Sequence, residues 1–258
     1  MTLEGPGAHR SRAAPRSRTA SGAAPTATGI VLAGGRSTRF GRDKLAEPIE
    51  GRTLLDLATE AVAAVVADVV VVVAPGSDPF GRDQPPSNQP PSNQPPSNPP
   101  PSNPPPSNPP PSNPPPARPG TSIRIAHDPE PFGGPLIGLL AGLEAASEPL
   151  ALVVGGDMPG LRAEVLVLML ERLATSPDAD AVALDDGGRV RPLPLAVRVG
   201  AGTSAAGSAV ERGARSLHAL LDGLRVAALP EPMWRAFDPA GETLRDIDHP
   251  GDLEVPLE

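Results

Sequence analysis

The run Leu32-Ala33-Gly34-Gly35-Arg36-Ser37-Thr38-Arg39-Phe40-Gly41-Arg42-Asp43-Lys44 gathers groups suited to gripping an anion. Lys44 is the single lysine among the 22 Lys and Arg residues of this 258-residue chain. Arginine presents a planar fork, whereas lysine presents a compact charge on a flexible stem. A lone lysine amid arginines therefore points to a place where an ammonium is wanted. Two adjacent glycines let the backbone take positive φ and approach a ligand closely. The N–H groups of such a turn form an anion-binding nest, which nearby cations reinforce. Gly34, Gly35, Arg36, Arg39 and Lys44, with the hydroxyls of Ser37 and Thr38, are what a triphosphate needs. The spacing is neither the Gly-x-Gly-x-x-Gly dinucleotide pattern nor the Gly-x-x-x-x-Gly-Lys-Ser/Thr phosphate loop. Each part has an ordinary alternative: a plain turn, a surface lysine, or an Arg39–Asp43 pair at four residues' spacing.

These residues need a rigid scaffold, and the pattern supplies one. Thr28–Ala33 reads as a strand that feeds the glycine turn. A helix is expected over Gly51–Val66, and Asp68–Ala74 is a β-branched run typical of a buried strand. Further strands are expected at Ser122–Ala126 and Leu150–Val154. Helices are expected at Pro135–Ala146, with proline near the first turn, and at Leu161–Ala174. Ala179–Leu184 and Leu193–Val197 read as strands about an Asp185-Asp186-Gly187-Gly188 turn. A short helix at Ser216–Leu224 and a strand at Arg225–Leu229 follow. Alternating strands and helices predict an α/β fold with three layers and a mostly parallel sheet. In such sheets ligands bind beyond the carboxyl ends of the strands.

Two segments stand apart. Residues 1–27 are rich in Ala, Pro, Ser and Arg without an apolar period, and are expected to be a disordered leader. Residues 84–116 repeat Gln/Pro-Pro-Pro-Ser-Asn and hold 18 of the 38 prolines, too many for helix or sheet. Polyproline II is the natural state of such a tract. It reads as an expanded surface loop, since insertions there cost little stability; docking to a proline-recognising partner is the alternative.

Composition removes several classes of function. Aromatics make up 2% and the net charge is -8, which fits neither a base-stacking platform nor a phosphate-backbone binder. No nucleic-acid partner is expected. No apolar run reaches the roughly 20 residues of a membrane span, so no membrane partner is expected either. The absence of cysteine excludes a disulfide framework and a thiolate site, and is compatible with a cytoplasmic location. His127 and His218 have no second ligand at metal spacing and are expected to be structural. No Ser/His/Asp arrangement is visible.

The thirteen-residue run resembles the signature of the molybdenum cofactor guanylyltransferases, nucleotidyltransferases with a Rossmann-like fold. Asp128-Pro129-Glu130-Pro131-Phe132-Gly133-Gly134-Pro135-Leu136-Ile137-Gly138 is similar to the family's second segment, and Gly156-Asp157-Met158-Pro159 to its metal-binding turn. Arg191-Pro192-Leu193-Pro194-Leu195, Gly213-Ala214-Arg215-Ser216-Leu217 and Asp246-Ile247-Asp248-His249-Pro250 resemble later landmarks. There are departures. The family usually has Asn-x-Asn-x-Pro where Asp246 and Asp248 stand, and often an Asn where this chain has Val73-Ala74-Pro75.

The resemblance implies one nucleotidyltransferase domain over residues 28–256, interrupted by an insertion at 84–117. It implies transfer of GMP from GTP to molybdenum-bound molybdopterin, with Mg²⁺ as cofactor and release of pyrophosphate. Lys44 would sit over the α-phosphate, and Arg39 would hold the β- and γ-phosphates. Leu32, Ala33, Gly34 and Gly35 would offer backbone groups to the nucleotide, and Asp128 would accept from guanine. Asp157 would ligate the metal, with Asp248 as second ligand. Arg191 and Arg215 are candidates to meet the anionic pterin acceptor. A monomer or weak oligomer is expected. Three alternatives remain open: CTP as donor, a different acceptor such as a sugar phosphate, or a non-catalytic nucleotide binder. Asp157 as a helix cap, Asp246 and Asp248 as loop carboxylates, and Asp252 as a cap also remain open.

Overall fold

The computed structural model describes residues 26–34, 44–49, 51–77, 79, 120–130 and 133–254. Gly35, Arg39 and the proline tract lie outside these residues. So does the expected leader, apart from Thr26 and Ala27, and Ala27 is buried.

The chain begins with strand β1 (Thr28–Leu32), followed by a 3₁₀ turn at Lys44–Ala46. A small antiparallel ribbon pairs β2 (Pro48–Ile49) with β3 (Arg52–Thr53). Then come helix α1 (Leu54–Ala63), β4 (Asp68–Val73), β5 (Ser122–His127), α2 (Pro135–Glu144), β6 (Leu150–Gly155) and α3 (Ala163–Ala174). The remainder is β7 (Ala181–Asp186), β8 (Arg189–Arg198), α4 (Val199–Glu211), α5 (His218–Leu221), β9 (Val226–Leu229) and α6 (Glu231–Trp234).

Seven of the described strands form one sheet in the order β5-β4-β1-β6-β8-β7-β9. Only β8 runs against its neighbours β6 and β7; the other pairings are parallel. The expected α/β fold with a mostly parallel sheet is therefore observed. Successive side chains of a strand point to opposite faces. Val69, Val71 and Val73 accordingly join the core under α1 and α3, while Val70 and Val72 join the core under α2, α4 and α5. A continuous valine run suits a strand covered on both faces.

Several expected boundaries are corrected. The helix predicted from Gly51 starts at Leu54, because Thr53 and Asp56 form a capping box: the Asp56 amide donates to Thr53 Oγ1 at 3.1 Å, and the Thr53 amide to Asp56 Oδ2 at 3.0 Å. Arg52 and Thr53 belong instead to the ribbon. The strand expected at Leu193–Val197 starts four residues earlier, at Arg189. The short helix expected over Ser216–Leu224 narrows to His218–Leu221. Helix α4, thirteen residues long, has no counterpart among the sequence expectations.

Candidate functional site

β1, β4, β5, β6, β7 and β9 all end on one side of the sheet, and Gly34, Ala74, Asp128 and Asp157 follow the ends of β1, β4, β5 and β6. At β1 the ladder already engages two groups. The Gly156 amide donates to the Leu32 carbonyl at 2.9 Å, and the Ala33 amide donates to the Val72 carbonyl at 2.8 Å.

Lys44 heads the 3₁₀ turn, and its ammonium reaches across the sheet end. Nζ donates to Asp157 Oδ2 at 2.7 Å, to the Ile247 carbonyl at 3.0 Å and to Asp248 Oδ1 at 3.3 Å. Burial by itself would lower the pKa of this amine. The hydrogen bond and charge of Asp157, then those of Asp248, outweigh it and hold Lys44 above the ordinary lysine value. The side chain is a protonated cation throughout the physiological range.

Asp157 stands two residues beyond β6. A Cβ at Gly155 would fall 2.5 Å from Asp157 Oδ1, so the carboxylate folds back over this residue and a side chain there would displace it. The alternative of a helix cap is ruled out for Asp157. Helix α3 begins after Arg162 and has no side-chain cap.

Asp248 arrives from the far end of the chain along a well-fixed path. Asp238 is buried, and its carboxylate accepts from the amides of Gly241, Glu242 and Thr243 at 3.0, 3.0 and 2.7 Å. Thr243 Oγ1 accepts in turn from the Arg162 amide at 3.2 Å, which ties this loop to the segment after Asp157. Ile247 is buried against Leu54, and its amide donates to the Asp157 carbonyl at 3.0 Å. Asp252 Oδ2 accepts from the amides of Asp248 at 2.9 Å and His249 at 2.7 Å. It thus closes the start of a 3₁₀ helix at Pro250–Glu254, as expected of a cap. These amides hold the Asp252 carboxyl below its ordinary pKa.

Asp128 is buried beside this cluster. Oδ1 accepts from the Glu130 amide at 3.0 Å. Oδ2 lies near both Gly34 and Gly138, 4.0 and 3.5 Å from where their Cβ atoms would be. One oxygen therefore shapes the turn, and the other lies between the end of β1 and the first turn of α2. Arg215 sits at the mouth of α2. Its carbonyl accepts from the Leu136 amide at 3.2 Å, and its guanidinium lies 3.7 Å from Glu130. A Cβ on Gly134, whose φ is +98°, would collide with it. Asp246 is exposed, beside the buried Ile247.

Lys44, Asp157 and Asp248 are thus brought together, with Leu32, Ala33, Gly34 and Asp128 along the same edge. Gly35 and Arg39 lie outside the described residues. Ile247 stands within one of the landmark runs, but the sequence assigned it no role. Its contribution comes from main-chain atoms of an apolar residue 203 positions from Lys44, for which no side-chain pattern exists.

Among the described residues no group of three or more His, Cys, Asp or Glu converges on a metal position. Magnesium does not need one. It takes one or two carboxylates, with phosphate oxygens and water completing its shell. Asp157 and Asp248 already meet on a single cation, the Lys44 ammonium, so this donor set fits the ion. No described helix is long and apolar enough to cross a membrane.

Comparison with known proteins adds an independent finding. The family model of the MobA-like NTP transferase domain matches residues 29–226. A probable molybdenum cofactor guanylyltransferase of Chloroflexus aggregans is 24% identical over 235 residues, covering 88% of this chain and 92% of that protein. A molybdenum cofactor guanylyltransferase of Desulfosudis oleivorans is 25% identical over 228 residues, with 88% and 92% covered. Among solved structures, molybdopterin-guanine dinucleotide biosynthesis protein A of Archaeoglobus fulgidus superposes with a TM-score of 0.60 at 20% identity, covering 88% of this chain and 95% of its own. The 2-C-methyl-D-erythritol 4-phosphate cytidylyltransferase of Thermus thermophilus gives 0.52 at 19% identity, with 89% and 96% covered. The last two likenesses speak to the fold alone.

Proposed function

The chain belongs to the MobA-like NTP transferase family, and from that premise we propose that it transfers GMP from GTP to the phosphate of molybdenum-bound molybdopterin, releasing pyrophosphate. The observation that carries this reading is the meeting of Lys44, Asp157 and Asp248 at the carboxyl edge of the sheet. The names of the relatives support guanine as the base and a molybdenum cofactor as the acceptor.

In nucleotidyl transfer a phosphate oxygen of the acceptor attacks the α-phosphorus in line, and the pyrophosphate leaves from the opposite side. The protein's share is positioning and neutralisation of charge. Lys44 is the described cation placed to stabilise charge on the α-phosphate. Asp157 and Asp248 would hold Mg²⁺, which neutralises the triphosphate when bound. Asp128 Oδ2 is the acceptor offered to guanine N1–H and N2–H₂. Arg39 is assigned to the β- and γ-phosphates from its place in the motif. Arg191 and Arg215 are assigned to the acceptor's negative charge.

Release of pyrophosphate from GTP, CTP and ATP, with and without molybdopterin and with magnesium varied, tests the proposal. GTP turnover that depends on both acceptor and metal is the expected result. Equal use of the three nucleotides defeats the guanine assignment. A preference for CTP is the specific second reading, favoured by Val73-Ala74-Pro75 standing where the resembling family often has Asn.

A further inference from the structure

The two carboxylates assigned to magnesium are already in use. Lys44 Nζ lies 2.7 Å from Asp157 Oδ2 and 3.3 Å from Asp248 Oδ1. An ammonium and a divalent cation repel each other strongly at such separations, so the pair cannot hold both in this arrangement. Two neighbouring carboxylates without a counter-ion also destabilise each other. We propose that Lys44 is the resident counter-ion of the Asp157–Asp248 pair in the metal-free protein, and that a divalent cation enters by exchanging with it, freeing the ammonium to turn to the phosphates.

The exchange gives a reason for lysine at this position in a chain that otherwise uses arginine. A guanidinium would lock both oxygens of one carboxylate in a planar fork, as Arg124 does with Asp68 at 3.1 and 2.7 Å. An ammonium on a four-carbon stem can leave and re-form its contacts without backbone movement. The partly exposed carboxylates, 26% at Asp157 and 49% at Asp248, are open to an incoming ion. Arrival of the metal and release of the lysine then become one event, so the chain presents its phosphate-binding cation when the metal is in place. This inference deepens the proposed function and rests on it for the target of the freed lysine.

Mn²⁺ without nucleotide is the direct probe, with free ion measured by electron paramagnetic resonance. Exchange predicts that Lys44→Met binds Mn²⁺ roughly fivefold tighter or more than wild type, because a competing ion pair is gone. Unchanged or weaker binding overturns it. A second measurement needs no variant. Lys44 is the chain's one lysine, so its acylation by an N-hydroxysuccinimide ester can be followed by peptide mass in the wild-type protein. Mn²⁺ alone should accelerate the labelling several-fold, and addition of GTP should slow it again. No acceleration by Mn²⁺ overturns the exchange even where GTP turnover is intact. Acceleration by Mn²⁺ without slowing by GTP supports the exchange and removes Lys44 from the proposed transfer.

Discussion

The two ends of this sheet handle charge in opposite ways. At the amino ends, each edge strand is fastened by one aspartate and one arginine. Asp68 at the start of β4 receives a forked pair from Arg124 of edge strand β5, plus the Ser147 hydroxyl at 2.7 Å. Asp180, just before β7, receives Nε and Nη2 of Arg225, just before edge strand β9, at 2.9 and 2.7 Å. At the carboxyl ends, two aspartates share one lysine. The first arrangement is complete: each carboxylate has its own cation, in the geometry that favours a fixed bond. Among the described residues, the second sets two carboxylates against the one ammonium. Such an excess costs stability and gives a site an appetite for further positive charge, so the imbalance marks the working end of the sheet.

The sharpest way to break the comparison is to remove the shared cation. Lys44→Ala is expected to lower pyrophosphate release by about 10²–10³-fold, the usual loss when one preorganised charge stabiliser is deleted. The fold, read by circular dichroism, should be retained. An intact rate would show that the carboxyl-end cluster is structural like its counterpart. Asp248→Asn should be milder. The carboxylate is half exposed, its contact with Lys44 is the longer one, and the resembling family usually places Asn there. A loss within about tenfold, roughly 1.4 kcal/mol of transition-state binding, is expected from steady-state kinetics. A loss as deep as that of Lys44→Ala would make Asp248 an equal partner of Asp157.

The amino-end pairs should show the reverse pattern. Arg124→Met should leave the kinetic constants alone and lower stability by about 1 kcal/mol, after allowance for the solvent that screens this partly exposed pair. Thermal unfolding would report it as a fall of roughly 2–4 °C. A change in KM for GTP would show the two ends to be coupled. The smallest expected effect is one of pH. Arg225 holds the Asp180 carboxyl down to about 2, against about 3.9 in an unfolded chain. Between those values the unfolded chain binds more protons, so the pair's contribution is full above pH about 4 and is lost as pH falls toward 2. The difference in urea midpoint between wild type and Arg225→Met should therefore narrow from pH ~5 to pH ~2.5. A constant difference would assign the effect to packing.

What the sequence disclosed follows from how local each signal is. β1, β4 and β6 were legible because strands buried on both faces need apolar side chains at every position, as Val69 to Val73 have. Asp157 was legible because it follows such a run directly. Helix α4 was hidden by its composition. Gly200, Gly202 and Gly207 lower intrinsic helix propensity, and the helix forms because small residues let it pack closely; a Cβ at Gly202 would lie 3.0 Å from Val197 and 3.2 Å from Leu143. The first half of β8 was hidden by Pro192 and Pro194, which ordinarily exclude an interior strand. They are accommodated where the register with β7 shifts, between Ala183 and Asp185, and beyond the last residue paired with β6, Leu195. At the site, the partners of Lys44 lie 113 and 204 positions away. Spacing along the chain carries no trace of such contacts: the resemblance named Asp157 and Asp248 as metal ligands, but not that both would meet on Lys44 itself.

Ile247 joins the two halves of the site through its main chain alone, receiving Lys44 on its carbonyl and offering its amide to Asp157. Exchange of its side chain for another apolar one would leave both links in place, so a survey by point substitution would record the position as core filling and nothing more. Drift at this residue is buffered while the linkage persists. Severing it calls for chemistry on the polymer itself, such as an amide-to-ester replacement, or for a shift of the tail that carries it.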